Sequence, residues 1–162
     1  MTPMRCAQAI AEYLQEKFDS IGYLAPDERT EGKPMHVYAG FLPRAMSDKE
    51  KIAQAPCIVI RPVKVVDMDA ESTADLQILA ATYNRAVQDG HLELYHVLEL
   101  CRQWLCQSPV IGNMFIMKKP LETGIPEEQG FPEWIGYMKV TYTIGKPGIN
   151  VNRMLEDERN FM

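Results

Sequence analysis

DGHLELYHVLELCRQWLCQS, residues 89–108, repeats Leu94, Leu98, Cys101 and Leu105 at helical spacing, with Val97 and Trp104 widening the stripe. His91, Glu93, His96, Glu99, Arg102 and Gln103 fall on the polar faces. The pattern predicts an amphipathic helix of about five turns whose apolar stripe is broad enough to lie across a sheet. Asp89 stands where a side chain can accept a backbone N–H at the helix start, and Pro109 stops the chain just past its end. The segments on either side read as strands, so this helix is expected to cover the sheet.

Upstream, CIVIRPVKVV (57–66) is dense in Val and Ile and reads as a strand. Pro62 within it argues for an edge position or a bulge, because proline cannot donate to a ladder. Residues 74–87 fit a helix or a strand equally by periodicity. A strand over 74–83 is preferred, because an antiparallel return would pair with 57–66 and turn the acidic run between them into a hairpin loop. Downstream, 113–121 reads as a strand, ETGIPEEQGFPE (122–133) as a loop and WIGYMKVTYTI (134–144) as the last strand. In that strand Trp134, Met138, Val140, Tyr142 and Ile144 alternate with Tyr137, Lys139, Thr141 and Thr143.

The N-terminal part opens with a second helix. Thr2 is a capping hydroxyl, Pro3 fits the first helical position, and Ala7, Ile10, Ala11, Leu14 and Phe18 form the stripe, with Gly22 as the stop. Residues 24–33 read as a loop and 35–41 as a short edge strand. Ser47 and Glu50 stand at capping-box spacing, predicting a brief helix over 48–54 inside the long connection 42–56. The expected fold is α+β: a mainly antiparallel β-sheet with two principal helices packed on one face. Residues 1–149 form a single domain in this reading, and 150–162 a charged C-terminal extension.

The chain has 162 residues, 46% hydrophobic and 24% charged, which suits one globular domain with a core of its own. A net charge of −5 and the lack of any basic run argue against a general nucleic-acid binder. The start has no long apolar core of a signal peptide and no segment reaches spanning length, so intracellular synthesis and no membrane role are expected.

The chemistry-bearing residues are sparse. Cys6, Cys57, Cys101 and Cys106 form no CxxC pair, and His91 and His96 are five residues apart, off a common helix face, with His36 elsewhere. No metal site is expected. Asp67, Asp69, Glu71 and Asp75 invite a calcium reading, but Ser72 stands where the EF-hand needs glycine and Ile78 where it needs glutamate. A solvated acidic turn is the better reading. No GxSxG, GxxxxGK[ST] or GxGxxG motif occurs, and no serine has a nucleophile context. Cys57 opens an apolar strand and reads as inert core. His91 and His96 read as solvated surface rather than acid–base groups, and Glu127 and Glu128 as a soluble loop rather than a carboxylate pair. Trp134 is either core at the sheet edge or a partner anchor. The ten methionines read as core filling, or alternatively as an adaptable contact surface.

Taken together, CIVIRPVKVVDMD, ADLQILAATYN, the Asp89-Gly90 pair opening a long helix, KKPLETGIP and FPEWIGYMKVTYTI resemble the tail terminator (tail completion, minor tail) proteins of long-tailed bacteriophages. The resemblance runs over roughly residues 3–147 as an order of elements and carries no diagnostic short motif. It implies a non-enzymatic phage or prophage assembly protein without a cofactor. Such a protein closes the tail tube as a ring, typically of six copies, and meets the head connector or neck proteins on its other side. It implies a location in the host cytoplasm during assembly and then in the virion neck. Contacts between copies would be heterologous and close by rotation. The candidate contact residues lie in loops 42–56 and 123–133, the start of the last strand and the tail: Arg44, Lys49, Glu127, Glu128, Phe131, Trp134, Arg153 and Phe161. A head–tail joining or head completion protein shares the same order of elements. A small α+β enzyme or ligand-binding domain, with a pocket under the main helix at His91 or Cys101, is the alternative of a different class.

Overall fold

The computed structural model describes residues 2–26, 32–42 and 54–147. Helix α1 (Pro3–Ser20) starts as its sequence predicts: the Thr2 hydroxyl accepts the Arg5 N–H at 3.0 Å and Pro3 fills the first position. Cys6, Ala7, Ile10, Leu14 and Phe18 form its buried face, and Gly22 at φ +63° lies just past its end. The stretch 24–33, expected to be all loop, differs at its two ends. There β1 (Leu24–Ala25) and β2 (Lys33–Pro34) pair antiparallel. Two-residue strands are too short to leave a periodic trace, which is why the residue pattern missed them.

Strand β3 (His36–Ala39) takes the edge position expected of 35–41, but runs parallel to β4 (Cys57–Asp67). The predicted helix over 48–54 and most of connection 42–56 fall outside the described residues. β5 (Ser72–Tyr83) returns antiparallel to β4, as chosen over the helical alternative, and its residues alternate strictly between buried and half-buried. The acidic run is the hairpin turn, closed by Met68 N–H to the Glu71 carbonyl at 2.9 Å and by Ser72 Oγ to Asp67 at 2.7 Å.

The main helix α2 spans Leu92–Gln107, three residues shorter at its start than the residue pattern suggests. Asp89 does not cap it with its side chain. Residues 89–91 form a turn, His91 holds the N-cap position without a side-chain hydrogen bond, and Leu92 N–H donates to the Asp89 carbonyl. Beyond the helix, a tight hairpin with Gly112 and Asn113 both at positive φ joins β6 (Val110–Ile111) to β7 (Phe115–Gly124). β8 (Glu133–Ile144) follows.

The sheet order is β3-β4-β5-β8-β7-β6, antiparallel except at β3–β4. Ile60, Ile78 and Met138 lie side by side across its middle, and Ala74 beside Tyr142 continues the same face. Both helices lie on that face and enclose a single core, as the α+β reading expects. A fully buried side chain such as Phe18 contributes about 1.5–3 kcal/mol through removal of apolar area from water. Gly136 marks the closest approach of helix to sheet, because a Cβ there would stand 2.6 Å from a Leu98 methyl. No helix of the described residues is long and apolar enough to cross a membrane.

The β3 edge and the unpaired stretches of β4 and β7 each carry a block to further pairing. The Gln15 side chain donates to the Met35 carbonyl (2.9 Å) and accepts the Val37 N–H (2.9 Å), so it stands in for a neighbouring strand beside β3. Pro62 lies just past the end of β3, where β4 becomes an edge, and the register shifts there, so both halves of the edge-or-bulge expectation hold. Pro120 plays the same part in β7, within the register shift between Lys118 and Glu122.

Candidate functional site

The expected contact residues fall into two groups. Arg44, Lys49, Arg153 and Phe161 lie outside the described residues. Glu127, Glu128, Phe131 and Trp134 lie together at one end of the sheet, in the loop 125–132 and the first turn of β8. Gln129 holds that loop against the strand: its amide donates to the carbonyls of Pro126 (2.8 Å) and Ile135 (3.0 Å), and its oxygen accepts the Ile135 N–H (2.6 Å). Glu127 and Glu128 stay exposed on its outer side.

Trp134 is half-buried and fixed at both ends. It sits opposite Thr82 in the ladder, and its indole N–H donates to the Asn84 carbonyl at 3.1 Å. The buried Gly90 is what lets it sit so close to the loop before α2. A Cβ there would come within 2.5 Å of the Ala86 carbonyl and 3.0 Å of the indole nitrogen. Trp134 thus seals the end of the core, as one of its two readings expects, and its outer side faces other rings of the chain.

Those rings form a row. Tyr95 to His91 is 6.0 Å between centroids, His91 to Trp134 is 5.9 Å and Trp134 to Phe131 is 5.9 Å, all near edge-to-face. Tyr95 is 54% and Phe131 50% exposed, and Leu92 (55%) and Val87 (81%) are exposed on the same helix start and the loop before it. His91 thus belongs to an aromatic surface. His96 lies apart from it, stacked on Tyr23 at 6.4 Å, so the two histidines do not meet. Tyr95, Leu92 and Val87 escaped the sequence reading. Tyr95 stands four residues from His91, which was legible as one helix face. The approach of His91 to Trp134, from a distant part of the chain, was not.

The cysteines behave as buried apolar groups, with one exception. Cys6, Cys57 and Cys101 are buried, and Cys106 is exposed. Burial pushes the Cys101 and Cys6 thiols up to about 12; Cys57 rises to about 11, through burial first and the nearby Glu133 charge second. Cys101 owes its shift to close packing in the core rather than to a pocket wall, so it offers no nucleophile. Tyr23 donates its hydroxyl to Glu93, and burial together with that carboxylate raises its ionisation well above the usual phenol range.

Two surface grooves open elsewhere. One, about 470 Å³, crosses the helix-free face of the sheet, where Asp75 accepts the Thr141 hydroxyl at 2.7 Å beside Gln77, Lys139 and Glu122. The other follows the outer side of α1 along β3, between Arg5, Glu12, Gln15 and Val37. Neither touches His91 or Cys101. Among the described residues, no three His, Cys, Asp or Glu side chains are grouped to hold a metal ion.

No protein-family model matches this chain, and no curated protein matches it in sequence.

Proposed function

We propose that the chain is a non-enzymatic virion assembly protein resembling a phage or prophage tail terminator, acting as a ring of copies that caps the tail tube and meets the head connector. The observation that carries this reading is the row Tyr95, His91, Trp134 and Phe131. It is an aromatic surface, half open to solvent, held on the start of β8, the start of α2 and a loop that Gln129 ties to β8. Aromatic side chains fixed in this way are the usual anchors of protein contacts. The blocked sheet edges fit the same reading, since they direct association to faces and ends rather than to strand addition. The resemblance in element order supplies the partner class.

The test is solution mass by light scattering over a concentration series, with negative-stain images of the largest species. Isolated tail tubes are then added. Rings of one copy number, alone or formed on tube ends, are the expected result. A chain that stays monomeric and ignores tail tubes would sink the reading, and binding to filled heads instead of tails would move it to head completion.

A further inference from the structure

A second apolar surface lies at the far end of the molecule from the aromatic row. The β6–β7 hairpin exposes Val110 (48%), Met114 (46%) and Ile116 (49%) around its tight turn. The two surfaces sit at opposite ends of α2, whose 16 residues span roughly 24 Å. They are also at opposite ends of β8: Trp134 opens that strand, while Ile116 pairs with Thr143 near its close, roughly 30 Å away. Within one copy they are too far apart to meet.

We infer that the hairpin knob of one copy docks on the aromatic row of the next, so that copies join head to tail. The charge around the two surfaces favours this pairing over like with like. Asp89 precedes the row on the helix side, and Glu127 and Glu128 stand exposed in the loop that carries Phe131, with Arg85 in the loop before α2. A row-to-row contact would bring those carboxylates together and be repelled. Around the knob, Lys118, Lys119 and Lys146 offset the hairpin acids: Lys118 pairs with Glu71, and Lys146 donates to the Asp69 carbonyl. The knob end is thus close to neutral, its lysines Lys118, Lys119 and Lys146 standing against Asp67, Asp69 and Glu71, and it meets an acidic rim. Two different surfaces at opposite ends make a heterologous contact, which builds a ring when its rotation closes. This contact rests on the ring reading above, and it names the surfaces that would carry it.

Cross-linking tests the contact separately from the ring. In a Cys106→Ser background, the remaining native thiols are buried. Phe131→Cys and Met114→Cys are then made singly at exposed positions and treated with a short bis-maleimide, alone and mixed. The mixture is expected to give covalent dimers at least tenfold faster than either variant alone. Equal rates in all three samples, or no dimer in the mixture, overturns the contact. A chain that forms no ring yet shows the selective cross-link loses the ring reading and keeps the contact. A ring that forms undiminished with Phe131→Glu and Met114→Glu together keeps the ring and overturns the contact.

Discussion

The two faces of the sheet differ sharply, although they are made by alternate residues of the same strands. On the helix side, Ile60, Ile78 and Met138 are fully buried, and Tyr142 with them. On the other side their chain neighbours Gln77, Lys139 and Thr141 face a polar groove, where Asp75 holds Thr141 and Lys139 lies 5.3 Å from the Tyr137 ring centroid, while Arg61 donates to the Gly40 carbonyl at 3.0 Å. Stability is therefore concentrated on one face. The open face contributes mostly exposed, screened contacts of small worth, apart from Cys57 and Val59, which are buried at its β4 end. The exposed apolar side chains that form groups lie at the ends, where the helices run out, whereas Val63 and Ile135 stand singly on the open face.

The largest contrast should come from neighbouring positions. Ile78→Ala opens a cavity at the centre of the core and is expected to cost about 2–5 kcal/mol. Gln77→Ala, one residue away on the open face, should stay within about 0.5 kcal/mol of the parent. Urea unfolding of both variants reads the difference directly. Similar losses at the two positions would mean that the open face is covered in solution.

Alkaline pH should weaken the fold next, because three thiols are buried: Cys6 and Cys101 in the core under the helices, and Cys57 on the other face of β4. Their folded values, about 11 for Cys57 and about 12 for Cys6 and Cys101, stand above the 9.0 of a free thiol. Above pH 9 the unfolded chain releases these protons while the folded chain keeps them. The stabilisation is fully present below pH 9 and is lost as pH rises toward 11 to 12. The urea midpoint should fall through that window. At neutral pH a thiol reagent should label Cys106 alone until the chain unfolds; fast labelling of Cys101 in the native protein would contradict the core assignment.

The smallest effect concerns an imperfection of the core. The Tyr142 hydroxyl is fully buried and has no hydrogen-bond partner among the described residues. Tyr142→Phe removes an unsatisfied polar group while keeping the ring, so it should leave stability unchanged or raise it by up to about 1 kcal/mol. A clear loss in the urea midpoint would show that the hydroxyl has a bound water or other partner.

Much of this architecture was legible in the residues. The stripe of α1, its Thr2 cap, the alternation of β8 and the pairing of β4 with β5 across the acidic turn follow from local chemistry and periodicity. Pro62 even marked where β4 becomes an edge. What local pattern could not supply were contacts between distant segments. The parallel pairing of β3 with β4 is one such contact, whereas β1 and β2 are too short to leave a periodic trace. Of the candidate contact residues, Trp134 and Phe131 were visible as isolated aromatics, whereas Tyr95 and His91 read only as part of a helix's outer side.

The sequence by itself determined the two amphipathic helices, the order of the longer strands and the α+β class, because each rests on the spacing of apolar residues along a few turns or a single strand. Only the tertiary structure decided that His91, Tyr95, Phe131 and Trp134 form one surface and that Val110, Met114 and Ile116 form another at the opposite end. Those groupings arise when the sheet brings the start of β8 under the start of α2, with Gly90 leaving room for the Trp134 indole. Close packing across long chain separations has no periodic signature.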